Sequence, residues 1–194
     1  MRVSDRVIAC CAAAGWMSLL APAALAADNY KADAVHSAVI FRIKHLNVSY
    51  SYGRFNDVAG SFSFDDAKPE NSALEFTVKT ASIDTHDKKR DDHLRSAEFF
   101  DAEKHPAITF KSKAVKKLGE SEFEVAGDLT LRGVTKPLTV KVERTGAGPD
   151  PWGGQRSGFE TTFTIKRGDF EMNALKGGLG DDVRLIVSIE GVKQ

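Results

Sequence analysis

The chain has 194 residues with 27 basic and 27 acidic side chains, so it is formally neutral at pH 7. That balance gives no electrostatic reason to expect nucleic acid or an anionic membrane as a partner. Its two cysteines, Cys10 and Cys11, both lie in the first apolar run, which leaves the remainder with no disulfide, thiol nucleophile or cysteine-zinc site.

Arg2 and Arg6 precede an Ala-rich, almost uncharged run from Val7 to Leu25, and Ala24-Leu25-Ala26 has the small-x-small form of a cleavage site. Residues 1–26 read as a signal peptide, cut after Ala26 and directing export. Val7-Ile8-Ala9-Cys10 faintly resembles a lipoprotein box, but the apolar run before it is too short, so a soluble exported protein is expected. Residues 27–194 form one domain of 168 residues with 25 basic and 26 acidic side chains.

Residues 37–45 alternate, with Val39, Phe41 and Ile43 opposite Arg42 and Lys44. A polar-aromatic connection with Tyr50, Tyr52 and Gly53 leads to a second strand over 54–64, where Val58-Ala59-Gly60 is a place for a bulge. Residues 73–81 carry Leu74, Phe76 and Val78 on one face. The alternation then stops. Residues 84–104 read as a helix with Asp84 as N-cap, Asp87 facing the first turn, and a narrow stripe of Leu94 and Ala97. Phe99 and Phe100 close it, and His105 before Pro106 is extended.

Strands resume over 107–117, 122–132, 134–144, 158–166 and 183–192. Their apolar faces present Ile108 and Phe110; Phe123, Val125, Leu129 and Leu131; Leu138, Val140 and Val142; Phe159, Phe163 and Ile165; and Val183, Leu185, Val187 and Ile189. Eight strands with one oily and one wet face predict antiparallel sheet, not a parallel α/β arrangement. One helix cannot cover so many oily faces, so the sheet must close on itself as a sandwich or a barrel. An eleven-residue strand of about 36 Å, tilted by about 40°, makes a barrel about 27 Å tall, the shape of a tube more than a cup. Alternation alone leaves open whether the interior is filled or holds a ligand.

Six segments in order, AVHSAVIFRIKHL, YGRFNDVAGSFSFD, RDDHLRSAEFFDAEKHPAITFKS, GDLTLRGVTKPLTV, DPWGGQRSGFE and DDVRLIVSIEGV, resemble the YceI family of bacterial, mostly periplasmic, lipocalin-like proteins that bind polyisoprenoids. The resemblance covers essentially the whole of 27–194. It implies an all-β fold, an extended eight-stranded antiparallel lipocalin-like barrel with one short helical segment, whose interior holds an isoprenoid chain such as a quinone tail. One departure is Glu171, which stands where many members carry Gly after the aromatic residue, and it bears on the conformation of the loop over 170–179.

With the resemblance, the inward residues become the expected ligand wall: Phe41, Ile43, Phe62, Leu74, Phe76, Val78, Phe110, Phe123, Val125, Leu129, Leu138, Val140, Phe163, Ile165, Leu185 and Val187. Tyr50, Tyr52, Arg90 and Trp152 are the expected mouth, Trp152 joining the two tyrosines where an amphipathic ring suits a lipid head. Arg95 is a further candidate for a head group. His86 and His93, seven apart with Asp87 and Asp91 nearby, superficially resemble a metal site, but a charged surface helix shows such spacing readily, and no metal is expected. His36 and His45 flank the first strand as hydrogen-bonding end residues. There is no GxSxG elbow, and KGGLGDD lacks the strand–loop–helix context of a phosphate cradle.

The expectation is a carrier of an isoprenoid lipid or quinone, with no catalysis and no cofactor, and with transient membrane contact. Two rivals are an enzyme on the same scaffold using His45 or His93 as acid/base, and a filled barrel that docks a membrane redox complex.

Overall fold

The computed structural model describes residues 27–194; the expected signal peptide lies outside the described residues. Alternating segments become eleven strands: β1 (Asp28–Ala32), β2 (Ala38–His45), β3 (Ser49–Phe55), β4 (Val58–Phe64), β5 (Ala73–Lys79), β6 (Ile83–Asp84), β7 (Ala107–Lys117), β8 (Glu122–Leu131), β9 (Val134–Pro149), β10 (Gln155–Lys166) and β11 (Leu179–Lys193). One helix, α1 (Lys88–Arg95), follows β6.

The strands make eight staves of a closed antiparallel barrel. β1 and β2 pair with the same strand, β11, and are two halves of one broken stave. β4 pairs with β1 and β3 with β2, so β3 and β4 are likewise one stave, and β5 with β6 is the next. From there β7, β8, β9, β10 and β11 follow in order, and the β1–β11 pairing closes the ring. A meander of this kind sends alternate turns to opposite ends. The turn at 46–48, the segment 85–106, the turn at 132–133 and the loop 167–178 share one end, called here the helix end. The turns at 65–72, 118–121 and 150–154 share the far end.

Three expectations are corrected. Residues 49–53, expected as a connection, belong to strand β3, and β1 is an additional half-stave. Val58-Ala59-Gly60 holds no bulge, since it runs in regular register with Val78-Thr77-Phe76. The stave instead breaks one step earlier, at Asn56-Asp57, whose amides turn to the backbone oxygen and hydroxyl of Ser82 at 3.1 Å each. The helix is also shorter than 84–104. Asp87 is its N-cap, accepting from the Arg90 amide at 2.8 Å, while Asp84 is in β6. Ala97 lies past the helix end.

Three side chains tie helix α1 to the barrel, Arg90 among them through Thr85. Buried Asp91 accepts from the Thr85 amide at 2.9 Å and its hydroxyl at 2.5 Å. Arg95 donates to the carbonyls of Ala81 at 3.0 Å and Ile83 at 3.4 Å. The outer face carries charge, as in the cross-strand pairs Lys111–Glu75 at 3.3 Å and Lys113–Asp128 at 2.7 Å. That is the inverse of a membrane-spanning barrel, whose outer band is apolar. Among the described residues no helix is long and apolar enough to cross a membrane.

Candidate functional site

The barrel axis holds two adjoining apolar chambers. The one toward the far end has a volume of about 170 Å³, and the one toward the helix end about 380 Å³. Val39, Val78, Ile108, Leu129, Phe163 and Leu185 border both. Every apolar residue expected in the wall borders one chamber or the other.

The aromatic rings stay near the wall because glycines make room for them. Phe41 lies over Gly53, its direct cross-strand partner, Phe76 over Gly60, Phe110 over Gly127 and Phe62 over Gly191. A Cβ at any of these glycines would sit well inside van der Waals contact with the ring. At Gly53 only side-chain atoms, those of Phe41 and Thr85, stand in the way. The rings therefore tile the wall across Cβ-free niches and leave space along the axis.

At the far end the same residue type closes the tube. Tyr30 stacks on Phe62 with centroids 4.8 Å apart, and Phe159 meets Phe62 edge-on at 5.4 Å. Phe64 meets Phe123 and Phe159, each at 5.2 Å. Arg144 caps this floor, its guanidinium 4.9 Å from the Phe64 centroid, donating to the Ser157 hydroxyl at 3.2 Å and paired with Asp66. Burial raises the Tyr30 hydroxyl pKa, with a smaller push from Asp28.

The helix end is lined differently. His45, Ser51, Tyr52, Thr85, Arg90, His93 and Arg167 join Phe55, Leu94, Phe99 and Phe100 around the larger chamber. Arg167 is buried, and its donors go to the carbonyls of Gly180 at 2.9 Å, Met172 at 2.9 Å and Ala174 at 2.6 Å, stitching the loop 167–178. Arg90 spends Nε and one terminal nitrogen on Thr85, at 2.7 and 2.6 Å. His93 contacts Glu98 at 2.6 Å and meets Phe99 edge-on at 5.0 Å. The arrangement accepts an oily chain and offers hydrogen bonds to whatever ends it.

The structure divides the expected mouth. Arg90 and Tyr52 border the chamber at the helix end. Tyr50 and Tyr52 pair with Lys44 and Arg42 on the outer face of β2 and β3, with the Arg42 guanidinium 4.2 Å above the Tyr50 ring. Trp152 lies at the far end, in the β9–β10 turn, 80% exposed and beside Arg156 at 5.7 Å. It borders neither chamber. Arg95 is occupied with strand carbonyls and Asp92 and does not border the chamber.

His86 and His93 do not converge on a metal site; the His86 amide donates to Asp84 at 2.9 Å, while His93 faces Glu98. The described residues bring together one cluster with ligand spacing, Asp33, His36 and Glu190. A cation already sits there: Arg156 contacts Asp33 at 2.7 Å, Asp150 at 3.0 Å and Glu190 at 2.5 Å. Hydrogen bonds from His36 and Arg156 hold the Asp33 carboxyl well below the usual carboxylate range. The cluster clasps the broken β1–β2 stave to β10 and β11.

Sequence reasoning left out the residues that end the tube. At the floor, Phe64 continues the alternation of Phe62 but is missing from the expected wall, Tyr30 lies in the short β1 that the sequence did not suggest, and Arg144 is a charged residue within β9. Under the helix end, Phe99, Phe100 and Met172 lie outside the strands, where alternation gives no signal.

The model of the YceI-like domain matches residues 30–191. A UPF0312 protein of Ectopseudomonas mendocina is 47% identical over 179 residues, covering 91% of this chain and 93% of its own. Among solved structures, a Campylobacter jejuni YCEI protein superposes with a TM-score of 0.71 at 33% identity, covering 78% of this chain and 90% of its own. A domain from Saccharophagus degradans, described as polyisoprenoid binding, shares the fold with a TM-score of 0.66 at 16% identity, over 85% of this chain and 98% of its own. The match across nearly all of the barrel, joined to a relative of almost equal length, places the chain in the YceI family.

Proposed function

We propose that the protein is a periplasmic carrier that holds an isoprenoid lipid, a polyisoprenoid or the tail of an isoprenoid quinone, along the barrel axis. The observation that carries this reading is the asymmetric tube: apolar walls kept open by ring-over-glycine packing, an aromatic floor, and most of the hydrogen-bonding side chains, Arg90, His45 and His93 among them, toward the helix end. A linear chain enters such a tube tail first. Each buried methylene contributes roughly 0.8 kcal/mol, so a few isoprene units outweigh the cost of ordering the chain. The description of the Saccharophagus degradans neighbour as polyisoprenoid binding supports the same class of ligand. The carrier needs neither cofactor nor catalytic residue: His45 and His93 serve as rim donors or acceptors, and neither is required as an acid/base.

Native mass spectrometry of protein taken from its own periplasm, followed by organic extraction and identification of the lipid, tests this. The expected result is a mass above that of residues 27–194 that extraction removes and that corresponds to an isoprenoid. A bare polypeptide mass, or a non-isoprenoid extract, would contradict the reading.

A further inference from the structure

Two turns at the helix end break the rules of turn chemistry in the same way. Leu46 and Leu175 adopt left-handed backbone conformations, with φ of 50° and 53°, where Gly or Asn is favoured. Both side chains stand in solvent, 59% and 57% exposed, and Val48 beside Leu46 is 82% exposed. Neither leucine is there for the turn or for the core, so each costs conformational strain and exposed apolar area with no return in folding. The turns are joined, the Leu46 amide donating to the Gly178 carbonyl at 2.8 Å. Leu175 also borders the larger chamber, so the apolar knuckle is continuous with the mouth of the tube.

Below the knuckle the outer face is basic and aromatic. Arg42 pairs in register with Arg184 on one side and Tyr52 on the other, and Lys44 pairs with Tyr50. Both cations lie against the Tyr50 ring, at 4.2 and 4.8 Å. Among the described residues, Arg42, Lys44, Lys176 and Arg184 form no ion pair, although the chain as a whole is neutral. Apolar tips, a belt of amphipathic rings and unpaired cations are the layers an interfacial membrane anchor needs.

We propose that this end of the barrel docks, mouth down, on a bilayer surface rich in anionic phospholipid, with Leu46, Val48 and Leu175 in the interface and Arg42 and Lys44 at the head groups. The inference rests on the carrier reading for its purpose, since a mouth held against the bilayer lets an oily chain pass without crossing water.

Co-sedimentation with vesicles of phosphatidylethanolamine and phosphatidylglycerol, against phosphatidylcholine alone, tests the docking. The protein is expected to sediment with the anionic vesicles, and high salt is expected to weaken this. Leu46→Asn with Leu175→Asn suits both turns, so the fold is kept while vesicle binding falls about tenfold; Val48→Asp acts in the same direction, and Arg42→Glu with Lys44→Glu abolishes the preference for anionic lipid. Equal binding to both vesicle types, no binding to either, or unchanged binding by the variants would overturn the docking. Extraction of lipid from the same preparations separates the two readings: lipid present without vesicle binding removes only the docking, and vesicle binding without lipid removes only the carrier.

Discussion

The two ends of this barrel are built from one sequence pattern and reach opposite results. At the far end, inward aromatics meet across the tube: Phe64 contacts Phe123 and Phe159, and Tyr30 stacks on Phe62, with Arg144 sealing the outside. Between that floor and the helix end, Phe41, Phe76 and Phe110 lie over Gly53, Gly60 and Gly127, and the axis stays open. An aromatic ring in a small barrel is therefore neither wall nor plug by itself. The neighbouring rings decide: Phe62 also lies over a glycine, Gly191, but Tyr30 and Phe159 hold it in the floor.

The largest effect is expected where rings are the structure. Phe64→Ala removes a buried ring from the floor and should cost about 3–5 kcal/mol, lowering Tm by roughly 10 °C in a thermal melt. The open end should respond in occupancy, not stability. Gly53→Ala drives the Phe41 ring off the wall into the larger chamber, and Leu185→Trp narrows the junction between the chambers. Each should cut bound lipid about tenfold, which corresponds to about 1.4 kcal/mol, with a far-ultraviolet spectrum unchanged from the parent. If both variants kept their lipid, the contrast between the ends would fail.

The clasp at the far end gives a pH test. Asp33 has a lowered folded pKa, so its contribution to stability is present above the ordinary carboxylate value and is lost as the pH falls below it. Arg156→Ala removes the partner shared by Asp33, Asp150 and Glu190. Denaturation by urea should show the variant less stable near neutrality, with the gap to the parent closing as pH drops below about 4. A gap independent of pH would assign Arg156 to packing alone.

The smallest effect lies in the loop 167–178. Glu171 adopts φ 60°, the left-handed conformation that glycine takes without cost. Glu171→Gly should therefore stabilise the protein by about 0.5 kcal/mol, a shift of a degree or two in Tm. A destabilised variant would show that the Arg132–Glu171 contact at 3.7 Å matters more than the strain.

How much of this was written in the sequence follows from what alternation can report. The wall residues were legible because a closed antiparallel barrel repeats with a period of two, from Leu74-Phe76-Val78 to Leu185-Val187. β3 was not, because its inward positions are Ser51 and Gly53, kept small to receive Phe41, while its aromatics Tyr50 and Tyr52 face outward and invert the signal. β1 is a five-residue half-stave with Tyr30 as its one large inward residue. The helix was overextended because residues 96–105 bond locally, as in Asp101 to Ser96 at 2.9 Å and His105 to Asp101 at 2.8 Å, which imitates helical spacing without continuing the helix. Trp152 is a matter of counting. In an up-and-down meander its turn falls at the end opposite Tyr50 and α1, whatever its own chemistry suggests. The basic-aromatic face on β2 and β3 is invisible to net charge, since neutrality is a sum, and Arg184 and Tyr50 join Arg42 and Lys44 only through strand pairing.

The most direct test of the hollow, one-ended tube is a titration with isoprenoid quinones that share one head group and differ in tail length. Affinity should rise with each added isoprene unit, by about tenfold or more, and then level off once the chain reaches the aromatic floor. Affinity that is absent, or that does not depend on tail length, would contradict it.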